Sequence, residues 1–240
     1  MLRYKTLKKK PKELLAATGL RVEEFEELVR VFGPAYAKRY EGEQTVEGKV
    51  RQRRSGGGGK ANLSKIEDKL LFILVYEKTY PLQTMLGLQF GLSQARTNIW
   101  IHRLLPLLRE VLVTLKLTPE RDGQAVADSA LAQEGGADLV IDGTERRRQR
   151  PKDPQTQRKQ YSGKQKAHTD KNLVLVNRHS QKVAYLSDTQ PGRKHDKKLA
   201  DEATIRYPSG ATLGKDTGFQ GYEPAGVITW QPKKSQKVRT

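Results

Sequence analysis

The sequence predicts an α/β protein with an all-helical N-terminal domain followed by a mixed-sheet domain. Two observations support this division. Between residues 18 and 116 apolar side chains recur at helical spacing, whereas after residue 137 they form short runs typical of buried strands. Residues 119–136 contain few large apolar side chains, so we predict a linker or a weak helix there, and the domain boundary.

The composition indicates a protein directed at nucleic acid. The 240 residues include 45 Lys and Arg against 27 Asp and Glu, which gives a net charge of +18. An excess of this size favours a polyanionic partner. Cysteine is absent, so disulfides and Cys-ligated zinc are excluded. The sequence shows neither a membrane-spanning apolar run nor a secretory signal, so we expect an intracellular protein with no membrane partner.

Residues 1–60 are predicted to contain a basic arm, one helix and a glycine-rich linker. Residues 8–12 are mostly lysine and predict a mobile arm. A helix capped by Thr18 is expected next, with an end or a bend at Pro34. The four glycines at 56–59 predict a flexible connector. The basic residues ahead of them either belong to a solvated linker or track DNA phosphates; they are Arg51, Arg53 and Arg54.

Residues 61–118 predict a helix-turn-helix DNA-binding domain. Ser64 and Glu67 form a capping box at the start of one helix, and Ser93 can cap a later helix that follows a turn at Gly91. An ordinary three-helix bundle with a polar outer face is the alternative. The last helix would present side chains that suit base edges and phosphates, namely Gln94, Arg96, Thr97, Asn98 and Arg103.

Residues 137–240 predict the mixed-sheet domain. The order of elements is strand, strand, strand, helix, strand, which matches the first part of a ribonuclease-H-like fold. In that topology the tips of the first and fourth strands lie side by side, and here they carry Asp142 and Asp216. The predicted strands cover 138–142, 172–177, 182–187, 211–216 and 227–230, with the helix at 196–206.

Two acids at neighbouring strand tips can share divalent metal ions. Oxygen ligands favour Mg²⁺ or Mn²⁺, and such ions support phosphoryl transfer on DNA by activating a water or a 3′-hydroxyl. Taken singly, each acid is more commonly a turn or surface residue. Only a fold that brings Asp142 and Asp216 together makes them a metal site.

A strongly basic segment connects the first two predicted strands. Residues 146–171 contain ten Lys or Arg and two acids, and would either hold DNA phosphates over the acids or form a solvated loop. No serine-hydrolase elbow and no phosphate-binding loop occurs, so neither that chemistry nor ATP use is predicted. The candidate DNA contacts in this segment are Arg146, Arg147, Arg148, Lys164, Lys166 and His168.

Six short motifs occur in order along the second half of the chain. They are Asp142-Gly-Thr-Glu145, Tyr161-Ser-Gly-Lys164, His168-Thr-Asp-Lys171, Pro191-Gly192, His195-Asp196 and Asp216-Thr-Gly-Phe-Gln-Gly221. This series resembles the DDE-superfamily endonuclease domain of bacterial insertion-sequence transposases, and residues 55–93 resemble the helix-turn-helix domain that precedes it. The resemblance implies a metal-dependent transposase that binds element ends on double-stranded DNA, cuts strands and joins a 3′-hydroxyl to target DNA. It also implies a cytoplasmic, nucleoid-associated bacterial protein and leaves open a homo-oligomer.

The resemblance assigns roles to some residues and departs from the family at one point. Asp142 falls on the first acid of the family triad and Asp216 on the second. His195 and Asp196 fall on a motif of undefined role, in which Asp196 is either an acid near the site or the N-terminal cap of a helix. The third acid of the family lies on a later helix, and Glu223 comes too early to replace it. We therefore expect a C-terminally truncated chain with an incomplete metal site and little or no activity alone; the alternative is a catalytically inactive DNA-binding regulator of transposition.

Overall fold

The computed structural model describes residues 1–42, 44–45, 48–50, 52 and 62–232. The chain divides into two compact units, Met1–Leu115 and Lys116–Thr240. Of the two predictions for residues 119–136, the linker is wrong and the weak helix agrees with the structure, because this stretch forms a 3-10 turn at Gly123–Asp128 and a helix from Ala130, and belongs to the core of the second unit. Val126 and Ala132 are fully buried there, so a segment with few large apolar side chains packs through its smaller ones.

The first unit is helical. Its core is built around phenylalanine and leucine side chains that are fully buried, including Phe25, Phe32, Phe72, Phe90 and Leu104. Its helices are α1 (Tyr4–Leu7), α2 (Pro11–Thr18), α3 (Val22–Tyr40), α4 (Ile66–Thr79), α5 (Gln83–Phe90) and α6 (Gln94–Thr114).

The predicted mobile arm is also wrong, because the chain start forms α1 and α2. Tyr4 and Leu7 are buried, and the Tyr4 ring stacks on Phe25 with centroids 4.4 Å apart. The Tyr4 N–H donates to Asp68 Oδ1 at 2.8 Å. Leu14 is fully buried as well. Tyr4, Leu7 and Leu14 therefore anchor a segment whose lysines are exposed.

Proline does not end the long helices of this unit. α3 continues through Pro34 and α6 through Pro106. An interior proline costs about 3 kcal/mol, and each large apolar side chain buried on folding contributes about 1.5–3 kcal/mol. Phe32 and Tyr36 are buried on either side of Pro34, so packing offsets the lost hydrogen bond.

Two of the three predicted helix caps differ in the structure. The Thr18 hydroxyl donates to Leu14 O at the end of α2 and does not cap α3. Lys65, not Ser64, occupies the N-cap position of α4. The Ser93 cap of α6 is confirmed, since its hydroxyl accepts from the Arg96 N–H at 3.4 Å.

The second unit has the predicted ribonuclease-H-like strand arrangement. The sheet order is β2-β3-β1-β6-β7, with β4 and β5 also pairing with β3. β1 runs antiparallel to β3 and parallel to β6. The strands are β1 (Asp138–Arg147), β2 (Tyr161–Ser162), β3 (Ala167–Asn177), β4 (Val183–Leu186), β5 (Gln190–Pro191), β6 (Thr212–Lys215) and β7 (Ile228–Trp230). The helices are α7 (Ala130–Ala137), α8 (Pro154–Gln160) and α9 (Asp196–Ala203), with 3-10 turns at Gly123–Asp128 and Thr217–Phe219.

The basic segment at 146–171 is folded. β1 extends through Arg147 and β3 begins at Ala167, so the two strands form a long hairpin that carries α8 and β2 at its outer end. The alternative of a solvated loop is therefore wrong. Within the described residues, no helix is both long and apolar enough to span a bilayer.

Candidate active site

The parallel pairing of β1 with β6 positions the two predicted acids. Ile141 pairs with Lys215, so Asp142 and Asp216 follow side by side. Asp216 comes directly after β6, whereas Asp142 lies within β1, where the pairing with β6 ends and the strand continues to Arg147; the predicted end of the first strand at Asp142 is therefore wrong. We call this place, where β1 and β6 stop pairing, the strand tips. Neighbouring strands lie about 4.8 Å apart. Both aspartates are exposed. Asp142 Oδ1 accepts from the Gly143 N–H at 2.7 Å and Asp216 Oδ1 from the Gly218 N–H at 2.8 Å, so each carboxylate is oriented by the N–H of a glycine that closely follows it.

A third carboxylate, that of Asp196, lies against Gly143 and Gly218. A Cβ added to Gly143 would overlap Asp196 Oδ1. A Cβ added to Gly218 would lie 2.9 Å from Asp196 Oδ2 and 3.0 Å from Asp216 Oδ1. The two glycines therefore make room for Asp196 between the strand tips.

Lys171 on β3 holds Asp196 in this position. Its ammonium lies 2.9 Å from Asp196 Oδ1 and 3.2 Å from Glu145 Oε1, and it donates to Lys194 O at 3.0 Å. The side chains of Lys171 and Glu145 are each 7% exposed. Thr169 Oγ1 donates to the other oxygen of Glu145 at 2.8 Å. This buried cluster, which we call the Lys171 cluster (Glu145, Thr169, Lys171 and Asp196), ties α9 to the sheet behind the two exposed acids.

The charges of the Lys171 cluster support one another. Burial acts to raise the pKa of Glu145, but hydrogen bonds from Ser162, Thr169 and Lys171 outweigh it and hold that pKa below its usual value. Burial acts to lower the pKa of Lys171, and the opposing carboxylates of Asp196 and Glu145 raise it above its usual value. Both groups are therefore charged at neutral pH.

The helix-turn-helix of the first unit is formed by α4, α5 and α6. Gly91 supplies the turn before α6 with a φ of +67°. At the start of α6, Gln94 and Arg96 are exposed and Asn98 is half-buried. Thr97 is fully buried and donates to Ser93 O at 3.0 Å, so its prediction as a DNA contact is wrong.

Arg103, nine residues after the start of α6, stacks on aromatic rings of the same unit. Its guanidinium carbon lies 4.8 Å from the Tyr40 ring centroid and 5.5 Å from the Trp100 ring centroid. Stacking of this kind stabilises the helix packing while leaving the charge near the surface. Arg51, Arg53 and Arg54, the predicted contacts of the glycine-rich connector, lie outside the described residues.

The predicted DNA contacts of the β1–β3 hairpin fall into two groups. Arg146 donates to Asn172 Oδ1 at 2.8 Å, and Arg148 pairs with Asp170 at 2.8 Å, so these two bind within the protein. Arg146 and Arg148 are nevertheless exposed. The other four make up the second group. Arg147, Lys164 and Lys166 are exposed, and His168 is half-buried.

Comparison with known families agrees with this geometry. Residues 141–237 match the family described as "DDE superfamily endonuclease", and residues 61–114 match the "Helix-turn-helix of DDE superfamily endonuclease". These two regions of the chain are similar to the DDE superfamily. The first match includes both strand-tip acids, and the second includes the whole of α4, α5 and α6.

The chain is also similar to a curated protein. It is the probable transposase for insertion sequence element IS702 of Microchaete diplosiphon, which is 25% identical over 172 residues. The similarity covers 72% of this chain and 59% of the relative, so the chain spans less than two thirds of the relative's length. No solved structure matches the chain.

The residues at the strand tips of the DDE domain fit part of a divalent metal site. Mg²⁺ is commonly held by one or two carboxylates together with substrate phosphates and water, and Asp142 and Asp216 supply two exposed carboxylates. Among the described residues, no group of three or more His, Cys, Asp or Glu side chains is placed to hold a metal ion.

Glu223 does not complete this site. Its carboxylate accepts hydrogen bonds from Lys215, whose side chain is 1% exposed, and from Thr229. These bonds hold the pKa of Glu223 below its usual value. The one acid that follows Asp216 in the sequence is thus bound at the β6–β7 connection.

The structure decides between the two interpretations of Asp196. His195 is exposed and occupies the N-cap position of α9, while Asp196 is its first helical residue. The carboxylate of Asp196 pairs with Lys171 and does not cap the helix, so Asp196 is an acid beside the strand tips. The sequence motifs include Glu145 and Lys171, but no role was predicted for either residue; the structure shows that they pair in register on β1 and β3.

Proposed function

We propose that this chain carries the DNA-binding and DNA-cleaving parts of an insertion-sequence transposase. Its helix-turn-helix would bind element ends, and Asp142 and Asp216 would act with Mg²⁺ or Mn²⁺ in strand cleavage and joining. The observation that carries this proposal is the parallel register of β1 and β6, which brings the two acids to adjacent strand tips inside the DDE match.

The chain's own residues divide the work of the reaction. Asp142 and Asp216 offer carboxylate oxygens to the metal, and hydrogen bonds from the backbone N–H groups of Gly143 and Gly218 orient them. The Lys171 cluster holds Asp196 against Gly143 and Gly218. The exposed cations of the β1–β3 hairpin, Lys164 among them, draw DNA phosphates toward the sheet. A divalent ion bound at the tips would activate the attacking oxygen and stabilise the leaving one.

The metal site is tested by Mn²⁺ binding, followed by electron paramagnetic resonance on the 240-residue chain. We expect weak binding that Asp142→Asn and Asp216→Asn each reduce about tenfold or more, because each removes one of two charged ligands. Asp188→Asn is the matched control, since the Asp188 side chain is 86% exposed and pairs with Arg121 at 3.3 Å. Unchanged binding in both strand-tip variants would refute the site.

Cleavage by this chain alone is expected to be weak or absent. Asp142 and Asp216 form no group with a third metal-ligating side chain among the described residues, since the neighbouring carboxylate of Asp196 pairs with Lys171. Transition-state stabilisation depends on how firmly the metal is positioned. A DNA-nicking assay with Mn²⁺ tests this expectation. Robust nicking that disappears in Asp142→Ala would show that two acids suffice.

A DNA-binding regulator of transposition is the second candidate. It is favoured by the pairing of Glu223 with Lys215, which leaves the strand tips without that acid. A regulator needs neither aspartate. Repression of transposition by the Asp142→Ala, Asp216→Ala double variant at the wild-type level would support this second role, and loss of repression would argue against it.

A further inference from the structure

A basic cleft lies at the outer end of the β1–β3 hairpin, away from the strand tips. Its volume is about 640 Å³, which is in the range of pockets that take small organic ligands. Three arginines line it, and no Asp or Glu is among the described residues that do so. Its main lining side chains are Arg150, Gln157, Arg158, Tyr161, His168 and Arg193.

An aromatic side chain forms part of the cleft wall. Tyr161 on β2 pairs with His168 on β3, and their rings meet edge to face with centroids 5.6 Å apart. Tyr161 is nevertheless 45% exposed. The contact with His168 therefore fixes the orientation of the tyrosine ring while leaving much of it open to the cleft.

The wall opposite the sheet is also ordered. Arg150 Nε donates to Gln157 Oε1 at 3.0 Å, which joins the end of the β1 side of the hairpin to α8. The Arg193 N–H donates to Lys159 O at 3.3 Å and so holds the β5–α9 loop against the same helix. The cleft is thus built by three segments that are hydrogen-bonded to each other.

This combination of groups selects a particular ligand. Arginines recognise phosphate oxygens, and an exposed aromatic ring recognises the flat face of a base. In a duplex each base is stacked on its neighbours, so its face becomes available to a protein ring only when the nucleotide is unpaired. A surface that binds only the phosphates of a duplex needs cations but no exposed aromatic ring, so Tyr161 favours an unpaired nucleotide.

We propose that the cleft binds an unpaired nucleotide of the DNA, with its base against Tyr161 and its phosphate among the arginines. This inference rests on the proposed DNA-processing function. Asp142 pairs with Val174, and His168 is six residues earlier on β3, so the cleft lies about 20 Å along the sheet from the strand tips. It holds the strand several nucleotides from the point of cleavage.

The test compares two DNA probes by fluorescence anisotropy with the full 240-residue chain. One is a blunt 20-base-pair duplex, and the other carries a six-nucleotide single-stranded overhang containing 2-aminopurine. We expect the overhang to tighten binding about tenfold or more and the 2-aminopurine fluorescence to be quenched by stacking. Tyr161→Ala should remove both effects, Tyr161→Phe should keep them, and Arg158→Ala should reduce the overhang preference.

Lys164→Ala is the matched control for Arg158→Ala. It removes the same charge from the same hairpin at an exposed position that does not line the cleft, so it should weaken both probes alike. Equal binding of the two probes by the wild-type chain would overturn the cleft proposal while leaving duplex binding intact. An equal effect of Arg158→Ala and Lys164→Ala on both probes would also overturn it. Failure to bind either probe would defeat the DNA-binding proposal as well.

Discussion

At the scale of single residues, one lysine connects three parts of the candidate active site. Lys171 reaches Glu145 on β1, Asp196 on α9 and the backbone of Lys194. A buried ion pair gains little over an apolar replacement of both partners, but removing one partner leaves an uncompensated buried charge. The role of Lys171 is therefore to hold the position of two carboxylates that would otherwise repel.

The Lys171→Met substitution should destabilise the second unit by about 3 kcal/mol, because Glu145 and Asp196 lose their shared cation. Urea unfolding followed by circular dichroism measures this change. Lys182→Met is the control, since Lys182 is 48% exposed and pairs with Glu134 at 3.6 Å, and it should change stability by less than about 1 kcal/mol. Equal losses in the two variants would contradict the importance of the cluster.

Gly143 allows the carboxylate of Asp196 to approach the strand tip. Gly143→Ala should displace Asp196 from Lys171 and cost about 1–3 kcal/mol, because the new methyl group would occupy the position of Asp196 Oδ1. In Gly163→Ala the added methyl group meets no atom within 4 Å, so its effect should stay within about 0.5 kcal/mol. Thermal unfolding of both variants distinguishes these outcomes, and a harmless Gly143→Ala would show that Asp196 is not packed there.

At the scale of helices and strands, the crossing of α5 with α6 depends on a glycine. A Cβ on Gly87 would lie 2.6 Å from Leu92 O and 2.8 Å from Thr97 Oγ1. Gly87→Ala should therefore push α6 away from α5 and lower stability by about 1–3 kcal/mol, with weaker DNA binding. Gln89→Ala alters an exposed position of the same helix and should be nearly neutral. Unfolding curves and duplex binding by both variants provide the check.

The elements that could be predicted from the sequence are those with strong local patterns. Short apolar runs followed by an acid predicted β1 and β6, and hence the neighbouring positions of Asp142 and Asp216, although β1 continues beyond Asp142 to Arg147. The N-terminal helices were missed because the lysines of residues 8–12 conceal the sparse anchors around them. The position of Asp196 could not be predicted from the sequence. An acid at the start of a helix can cap that helix or pair with a distant lysine, and the sequence is the same in both cases. Only the packing of α9 on the sheet brings Asp196 to Lys171, which lies 25 residues earlier.

At the scale of the whole molecule, the net charge of +18 makes DNA binding sensitive to salt. Each phosphate contact releases about one counterion, so four such contacts would raise the Kd on the order of a hundredfold between 50 and 200 mM salt. Anisotropy titrations with a blunt duplex measure this slope. Arg96→Gln should reduce the slope by about one if Arg96 contacts a phosphate, and a Kd independent of salt would contradict binding to the DNA backbone.

The parallel pairing of β1 with β6 also sets a sequence of events during protein synthesis. The helical unit is complete at Leu115, but Asp142 cannot meet its neighbour until β6 and Asp216 have been made. At translation rates of about 5–20 residues per second, that interval is about 5–20 s. The part that would grip DNA can therefore fold while the part that would cut it is still being translated.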